Sequence, residues 1–333
     1  MDEQLLPLRE AAERYGIKLD RLRRAAWDGR LVALRDGIHW SVRPSEVERF
    51  IRDHGRAPRV QAAPRRKGEA AARVIAVAIP KGGTGKTTTV LNLGAALTER
   101  GQRVLVMDCD PQGSLTTALG FDHNKLEFTL QDAIEHYNDT FDSELERAIR
   151  PTEEGIDLVP ATARLNKANT DLHNALDPHK ILSKLIEPLR SRYDIILLDT
   201  LPYLGVLVQN ALVAADEVLI PVQAQALASE SALLMVQQIQ KIRKSGLNPN
   251  LKICGFLLTQ VDVSTTVQRE HVAYARRRFG QDGHVFPVMI EERPCVQESQ
   301  TKGIRQSLFR YKPTGLVTNA YRVLAQEVLY GEA

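Results

Sequence analysis

Val74-Ile-Ala-Val-Ala-Ile-Pro-Lys-Gly-Gly-Thr-Gly-Lys-Thr-Thr-Thr89 passes from an apolar run through a glycine-rich turn to residues that open a helix. The apolar run has the pattern of a strand covered on both faces. The glycines let the backbone curl, so that successive N–H groups and the N-terminus of the next helix face an anion. In such a loop Lys86 reaches the β- and γ-phosphates of a nucleotide and Thr87 offers its hydroxyl to Mg2+. The spacing departs from the usual G-x-x-x-x-G-K-(S/T) at one point. Pro80 stands where the first glycine belongs, and an extra lysine, Lys81, directly precedes Gly82 and Gly83. The turn itself has no need of that lysine, so its charge is assigned to phosphate, across a dimer interface.

Working outward, short apolar runs recur at Val104–Met107, Ile156–Val159, Ile195–Leu198, Val218–Val222 and Ile253–Leu258, with helical patterns between them. Strands alternating with helices predict an α/β fold with a doubly wound, mostly parallel sheet. In such sheets ligands bind in the crevice beyond the C-terminal ends of the strands. Asp108, Asp110 and Asp199 all stand at such ends.

The segment KGGTGKTTT is similar to the deviant Walker A motif of the ParA/MinD group of P-loop ATPases, and the resemblance covers roughly residues 73 to 330. Val104-Leu-Val-Met-Asp-Cys-Asp-Pro-Gln-Gly113 resembles the second motif of that group, and Ile195-Ile-Leu-Leu-Asp-Thr-Leu-Pro202 its Walker B strand. The resemblance implies an ATP/ADP site with Mg2+. Lys81, Gly82, Gly83, Thr84, Gly85, Lys86, Thr87 and Thr88 would bind nucleotide, with Lys81, Lys86 and Asp110 catalytic. Asp110 would orient the attacking water, Asp199 and Thr87 would hold the metal, and Asp108 would support it. It further implies a homodimer that sandwiches ATP, binds DNA without sequence preference and is stimulated in slow hydrolysis by a ParB-like partner.

Val288-Met-Ile-Glu-Glu-Arg-Pro-Cys-Val-Gln-Glu-Ser299 departs from the group's usual pattern, with Glu292 and Arg293 where relatives carry arginine and asparagine. Adenine and DNA contacts therefore do not carry over there. Arg276, Arg277, Arg278, Arg305 and Arg310 are the alternative basic candidates for non-specific DNA, although an arginine run is also an ordinary solvated helix face.

Residues 1–73 carry a net charge of +6 and the remaining 260 a net −3, so an anionic partner is expected at the N-terminal end. Residues 1–55 read as a small module: helices over Leu8–Tyr15, Leu19–Trp27 and Pro44–Ile51, with a hairpin around Asp36-Gly37. The pattern resembles the excisionase/MerR-like winged helix-turn-helix group. By that resemblance the second helix enters the major groove of an operator, presenting Lys18, Arg21, Arg23 or Arg24, while Arg35 and His39 of the wing contact backbone or minor groove. Trp27 and Trp40 are assigned to the module's core. Residues 56–73, rich in arginine, alanine and proline, form a basic linker, and 74–333 the ATPase domain.

The three cysteines lie far apart, which indicates no disulfide framework and argues against the iron–sulfur reductases of the same superfamily. No stretch reaches the 18 to 20 apolar residues of a membrane span, and acids stand where a signal peptide has a basic region. A cytoplasmic, nucleoid-associated protein is expected, with no membrane partner. The alternatives are MinD-like positioning, opposed by an acidic tail with only Arg322 as a cation, and a repressor that senses nucleotide while scarcely hydrolysing it.

Overall fold

Strand β1 (Leu6–Pro7) pairs antiparallel with β3 (His39–Val42), which pairs on its other side with β2 (Ala33–Asp36). This three-stranded sheet, order β1-β3-β2, lies in the first of two compact units of the computed structural model, Met1–Gln61 and Ala62–Ala333. The described residues are 5–15, 17, 19, 22–23, 26, 31, 33–36, 39–48, 71–223, 228–262, 266–301 and 303–331.

In the first unit Asp36 lies opposite His39, the register expected of a two-residue connection. A helix spans Leu8–Arg14, and residues 44–48 are helical. Leu8, Ala11, Leu22, Leu31, Val42 and Val47 form one small apolar core, with Trp40 packed against it. β1 was not anticipated; two residues ending in proline carry no strand signal of their own. Of the expected groove-facing residues, Arg23 is exposed. Lys18, Arg21 and Arg24 lie outside the described residues, as do Trp27 and nearly all of the expected linker. Arg35 and His39 are described in their backbone only.

The second unit is built on an eight-stranded sheet: β4 (Arg73–Val77), β5 (Val104–Asp108), β6 (Arg150–Pro151), β7 (Asp157–Val159), β8 (Ile195–Asp199), β9 (Glu217–Gln223), β10 (Lys252–Val261) and β11 (Val285–Glu291). Their order is β11-β10-β9-β4-β8-β5-β7-β6. All pairs are parallel except the marginal β6–β7 pair. The unbroken apolar runs now have their physical reason. Val74 and Ala76 of β4 join one core, Ile75 and Val77 the other, and β5 and β8 divide their residues in the same way. Each central strand is thus buried on both faces, which an alternating polar pattern could not survive.

The helices around those cores include α1 (Lys86–Glu99), α2 (Ser114–Ala118), α3 (Leu130–Thr140), α4 (Ala168–His173), α5 (Ile181–Ile186), α6 (Val206–Ala214), α7 (Ala228–Lys244), α8 (Thr266–Phe279), α9 (Pro294–Ser299), α10 (Leu308–Tyr311) and α11 (Leu316–Tyr330), together with one short turn of helix over Leu145–Ala148. α1 and α11 supply one core, while α3, α5, α6 and α7 supply the other. No helix among the described residues is long and apolar enough to cross a membrane. β11 was missed by sequence reasoning because Pro287 interrupts it. As the edge strand it tolerates the missing N–H.

Candidate functional site

The loop after β4 owes its shape to two glycines that a side chain could not replace without strain. Gly83 and Gly85 have φ of 72° and 84°, and Gly85 caps α1 in the left-handed region. α1 therefore starts at Lys86, and its unpaired N–H groups lie where the loop ends. Lys86 is 7% exposed, and its Nζ donates to the Lys81 carbonyl at 2.8 Å. Burial lowers its pKa, against the opposing fields of Asp199 and Asp110. These partners place the lysine between the loop and the acidic strand ends.

Three residues from neighbouring strand ends hold the loop. Thr259 Oγ1 donates to the Thr84 carbonyl at 2.9 Å, and Gln260 Nε2 donates to the Gly83 carbonyl at 2.7 Å. Gln223 Nε2 donates to the same carbonyl at 3.1 Å and to Gln260 Oε1 at 2.5 Å. Gln260 adopts a left-handed φ of 52°, an uncommon conformation for this residue type that aims its amide back at the loop. Sequence reasoning missed all three. The available signal was a polar residue ending each of two otherwise apolar strands. Gln260→Ala is expected to loosen the loop by about one hydrogen bond, roughly 1 kcal/mol. Amide exchange across residues 82–85 should then quicken about fivefold, and unchanged exchange would show that Thr259 suffices.

β5 and β8 bring Asp108 and Asp199 side by side in register, yet their surroundings differ. Asp108 Oδ2 accepts from Thr116 N at 2.8 Å and Thr116 Oγ1 at 2.7 Å, and Oδ1 accepts from Asp110 N at 3.2 Å. The Asp108 oxygens thus brace the loop that follows β5. Desolvation still pushes its pKa up to about 6. Asp199 is 1% exposed; its carboxylate oxygens close no hydrogen bond of ordinary geometry, but the Thr87 hydroxyl and the Lys86 ammonium face them. Desolvation and then the charge of Asp108 raise its pKa well above the usual carboxylate range, with Thr87 and Lys86 as counterweights. Asp110 is half-buried, its Oδ1 accepting from Gln112 N at 2.9 Å in a turn closed by Gly113 N donating to its carbonyl at 2.8 Å.

Beside the first turn of α1 lies a cleft of 290 Å3 bordered by Thr87, Thr88, Gln112, Ser114, Thr117 and Gln300. A larger recess of 320 Å3, lined by Tyr137, Phe141 and Leu176 among others, contains none of the motif residues. The cleft beside α1 includes Thr87 and Thr88 of the motif, while Lys86, Asp110 and Asp199 lie outside its lining. Lys81 is half-buried.

The arginines expected to form a DNA surface are largely engaged within the chain. Arg276 donates to the Pro287 carbonyl at 2.7 Å, Arg278 pairs with Asp282 at 2.7 Å, and Arg310 pairs with Glu153 at 2.8 Å. Arg277 is exposed, and Arg305 is half-buried at φ 40°. In the departing segment Arg293 is neutralised by Glu291 at 2.5 Å.

Residues 72–253 match the sequence family described as AAA domain. The chromosome partitioning protein ParA of Caulobacter vibrioides is 35% identical over 262 residues, which is 78% of this chain and 95% of that protein. The chain belongs to the ParA-type P-loop ATPases. An uncharacterized Mycobacterium tuberculosis protein is 36% identical over 276 residues, covering 83% of this chain and 84% of its own length. Among solved structures, a Mycobacterium smegmatis protein described as cobyrinic acid a,c-diamide synthase with bound ADP and magnesium superposes with a TM-score of 0.63. It is 34% identical and covers 78% of this chain and 94% of that one. For this ParA-type chain the doubly wound P-loop fold expected from sequence is therefore established.

Proposed function

We propose that this chain is a DNA-segregation ATPase that cycles between an ATP-bound homodimer and separated subunits. The observation that carries the reading is the convergence of Lys86, Asp110 and Asp199 on one crevice, beside a loop that opens with Lys81. The loop N–H groups and Lys86 bind the phosphates. Lys81 extends to the phosphates of a partner subunit, and the half-buried Asp110 orients water against the γ-phosphorus. Attack forms one P–O bond and breaks the bond to the β–γ bridging oxygen, giving ADP and inorganic phosphate, with the water's proton released.

The residues fit Mg2+. Asp199 offers two buried carboxylate oxygens and Thr87, which faces them, a hydroxyl at the start of α1, the hard oxygen donors this ion prefers. Bound there with nucleotide, Mg2+ would supply charge stabilisation to the transferring phosphoryl group. Among the described residues no three His, Cys, Asp or Glu side chains form a metal cage, which suits an ion that takes its remaining ligands from phosphate and water.

On this reading the dimer binds nucleoid DNA without sequence preference in the cytoplasm, a ParB-like protein stimulates it, and the N-terminal unit binds an operator as a winged helix-turn-helix. Sedimentation of wild type and Lys81→Ala with ATP, ADP or no nucleotide, each with and without random-sequence DNA, tests it. ATP-dependent dimers that hold this DNA only when Lys81 is present are expected. A nucleotide-independent oligomer that ignores random DNA would instead favour the repressor reading.

A further inference from the structure

Between the Asp110 turn and the wall of the cleft beside α1 sits a side chain that no motif includes. His123 opens a 3-10 turn (His123–Lys125) anchored by Asp122, whose side chain accepts from Asn124 N at 3.1 Å and whose carbonyl accepts from Lys125 N at 3.0 Å. The approach to this turn is fixed as well, because Phe121 N donates to the Thr116 carbonyl at 3.2 Å. The ring is thereby carried back over the start of α2. His123 Nε2 lies 2.7 Å from Thr117 Oγ1 and 3.2 Å from the Gly113 carbonyl oxygen.

Gly113 is the last residue of the Asp110 turn, with φ of 61°. A Cβ there would stand 2.2 Å from His123 Cε1 and 2.9 Å from the Ala161 carbonyl oxygen. The glycine is therefore required twice, by the sign of its φ and by the imidazole packed against it. The turn is pinned from several sides: Gln112 N on the Asp110 carboxylate, Gly113 N on the Asp110 carbonyl, and His123 on the Gly113 carbonyl. Thr117, the second partner of His123, also borders the cleft beside Thr87 and Thr88. The imidazole thus connects the residue assigned to orient water with the wall beside which nucleotide would lie.

We propose that His123 is a positioning residue for hydrolysis, locking the Asp110–Gly113 turn so that the Asp110 carboxylate meets the attacking water. The inference rests on the ATPase reading of the crevice and adds a side chain which that reading does not need. A carboxylate free to drift by about 1 Å orients water poorly, and misplacements of that size cost on the order of 100-fold in rate. Nucleotide affinity should hardly change, because the phosphate-binding groups belong to the loop before α1.

The test uses the full chain. His123→Ala is expected to lower kcat by roughly 10- to 100-fold while the dissociation constant for a fluorescent ATP analogue shifts less than about threefold. His123→Gln keeps an amide N–H able to reach the Gly113 carbonyl and should recover most of the rate. Thr117→Val removes the hydroxyl partner at nearly constant volume and should lower kcat by a smaller factor. It also tests the placement of the same ring, through its other contact, should the alanine variant fold poorly. A packing role alone would lower the melting temperature and leave kcat per folded molecule unchanged in all three variants. That result overturns the proposal, as does equal loss in the alanine and glutamine variants. If wild type releases no phosphate from ATP the ATPase reading itself fails. If wild type is active, Asp110→Ala is dead and His123→Ala is normal, only the His123 inference fails.

Discussion

Asp110→Ala is expected to bind ATP with nearly wild-type affinity and to release phosphate roughly 100- to 1000-fold more slowly, the range lost with a positioned proton-accepting group. The geometry separates the two functions. Binding depends on the Gly82–Gly85 loop, Lys86 and the N-terminus of α1, and the Asp110 side chain hydrogen-bonds to none of these. The variant should fold, because Asp110 is half-buried outside both cores and the Gln112 N–H it abandons is exposed to water. With chemistry blocked and binding intact, ATP-bound dimers should accumulate, visible by sedimentation. Asp110→Asn discriminates further, since its amide oxygen still accepts from Gln112 N but carries no charge. A dead asparagine variant assigns the effect to the carboxylate. An active one would place it in the turn geometry, and hydrolysis at the wild-type rate by Asp110→Ala would remove Asp110 from the mechanism.

The phosphate loop was readable in sequence because its physics is local. Two glycines with positive φ, a lysine and a helix start are adjacent in the chain, so spacing alone specifies them. The sheet was readable for a related reason, since burial on both faces leaves an unbroken apolar run in each central strand. What escaped depends on contacts between distant residues. Asp108 and Asp199 look alike as aspartates ending apolar strands, and it is Thr116, eight residues further on, that turns the first into a brace, while the second closes no hydrogen bond of ordinary geometry. Gln223, Thr259 and Gln260 reach the loop from two other strands, 140 to 177 residues away. The arginines of α8 suggested a basic face, but Arg278 pairs with Asp282 one turn further on and Arg276 reaches the Pro287 carbonyl of β11.

Asp199→Asn should produce the second large effect, with activity and stability moving in opposite directions. Asp199 is a buried carboxylate that closes no hydrogen bond of ordinary geometry, with only the Thr87 hydroxyl and the Lys86 charge facing it, and it lies beside the equally buried Asp108. A buried charge without a hydrogen-bonded partner is costly, and a neutral amide of the same shape costs less. Relief of about 1–2 kcal/mol is expected, a rise in melting temperature of roughly 2–4 °C near neutral pH. The pH dependence has a definite sign. Both aspartates have folded pKa values raised above the unfolded ones, that of Asp108 to about 6, so the folded wild type favours the protonated forms. Its stability from this pair is present at low pH and is lost as pH rises through the folded values. The advantage of Asp199→Asn should therefore grow as pH rises through the folded value of Asp199 and shrink toward pH 4, where wild type is itself neutral at the site. Phosphate release should vanish at every pH, because the strained carboxylate is the one whose oxygens suit Mg2+. A melting temperature lower than wild type throughout would mean that Asp199 is satisfied in the native state. The buried carboxylate would then no longer argue for a metal at this strand end.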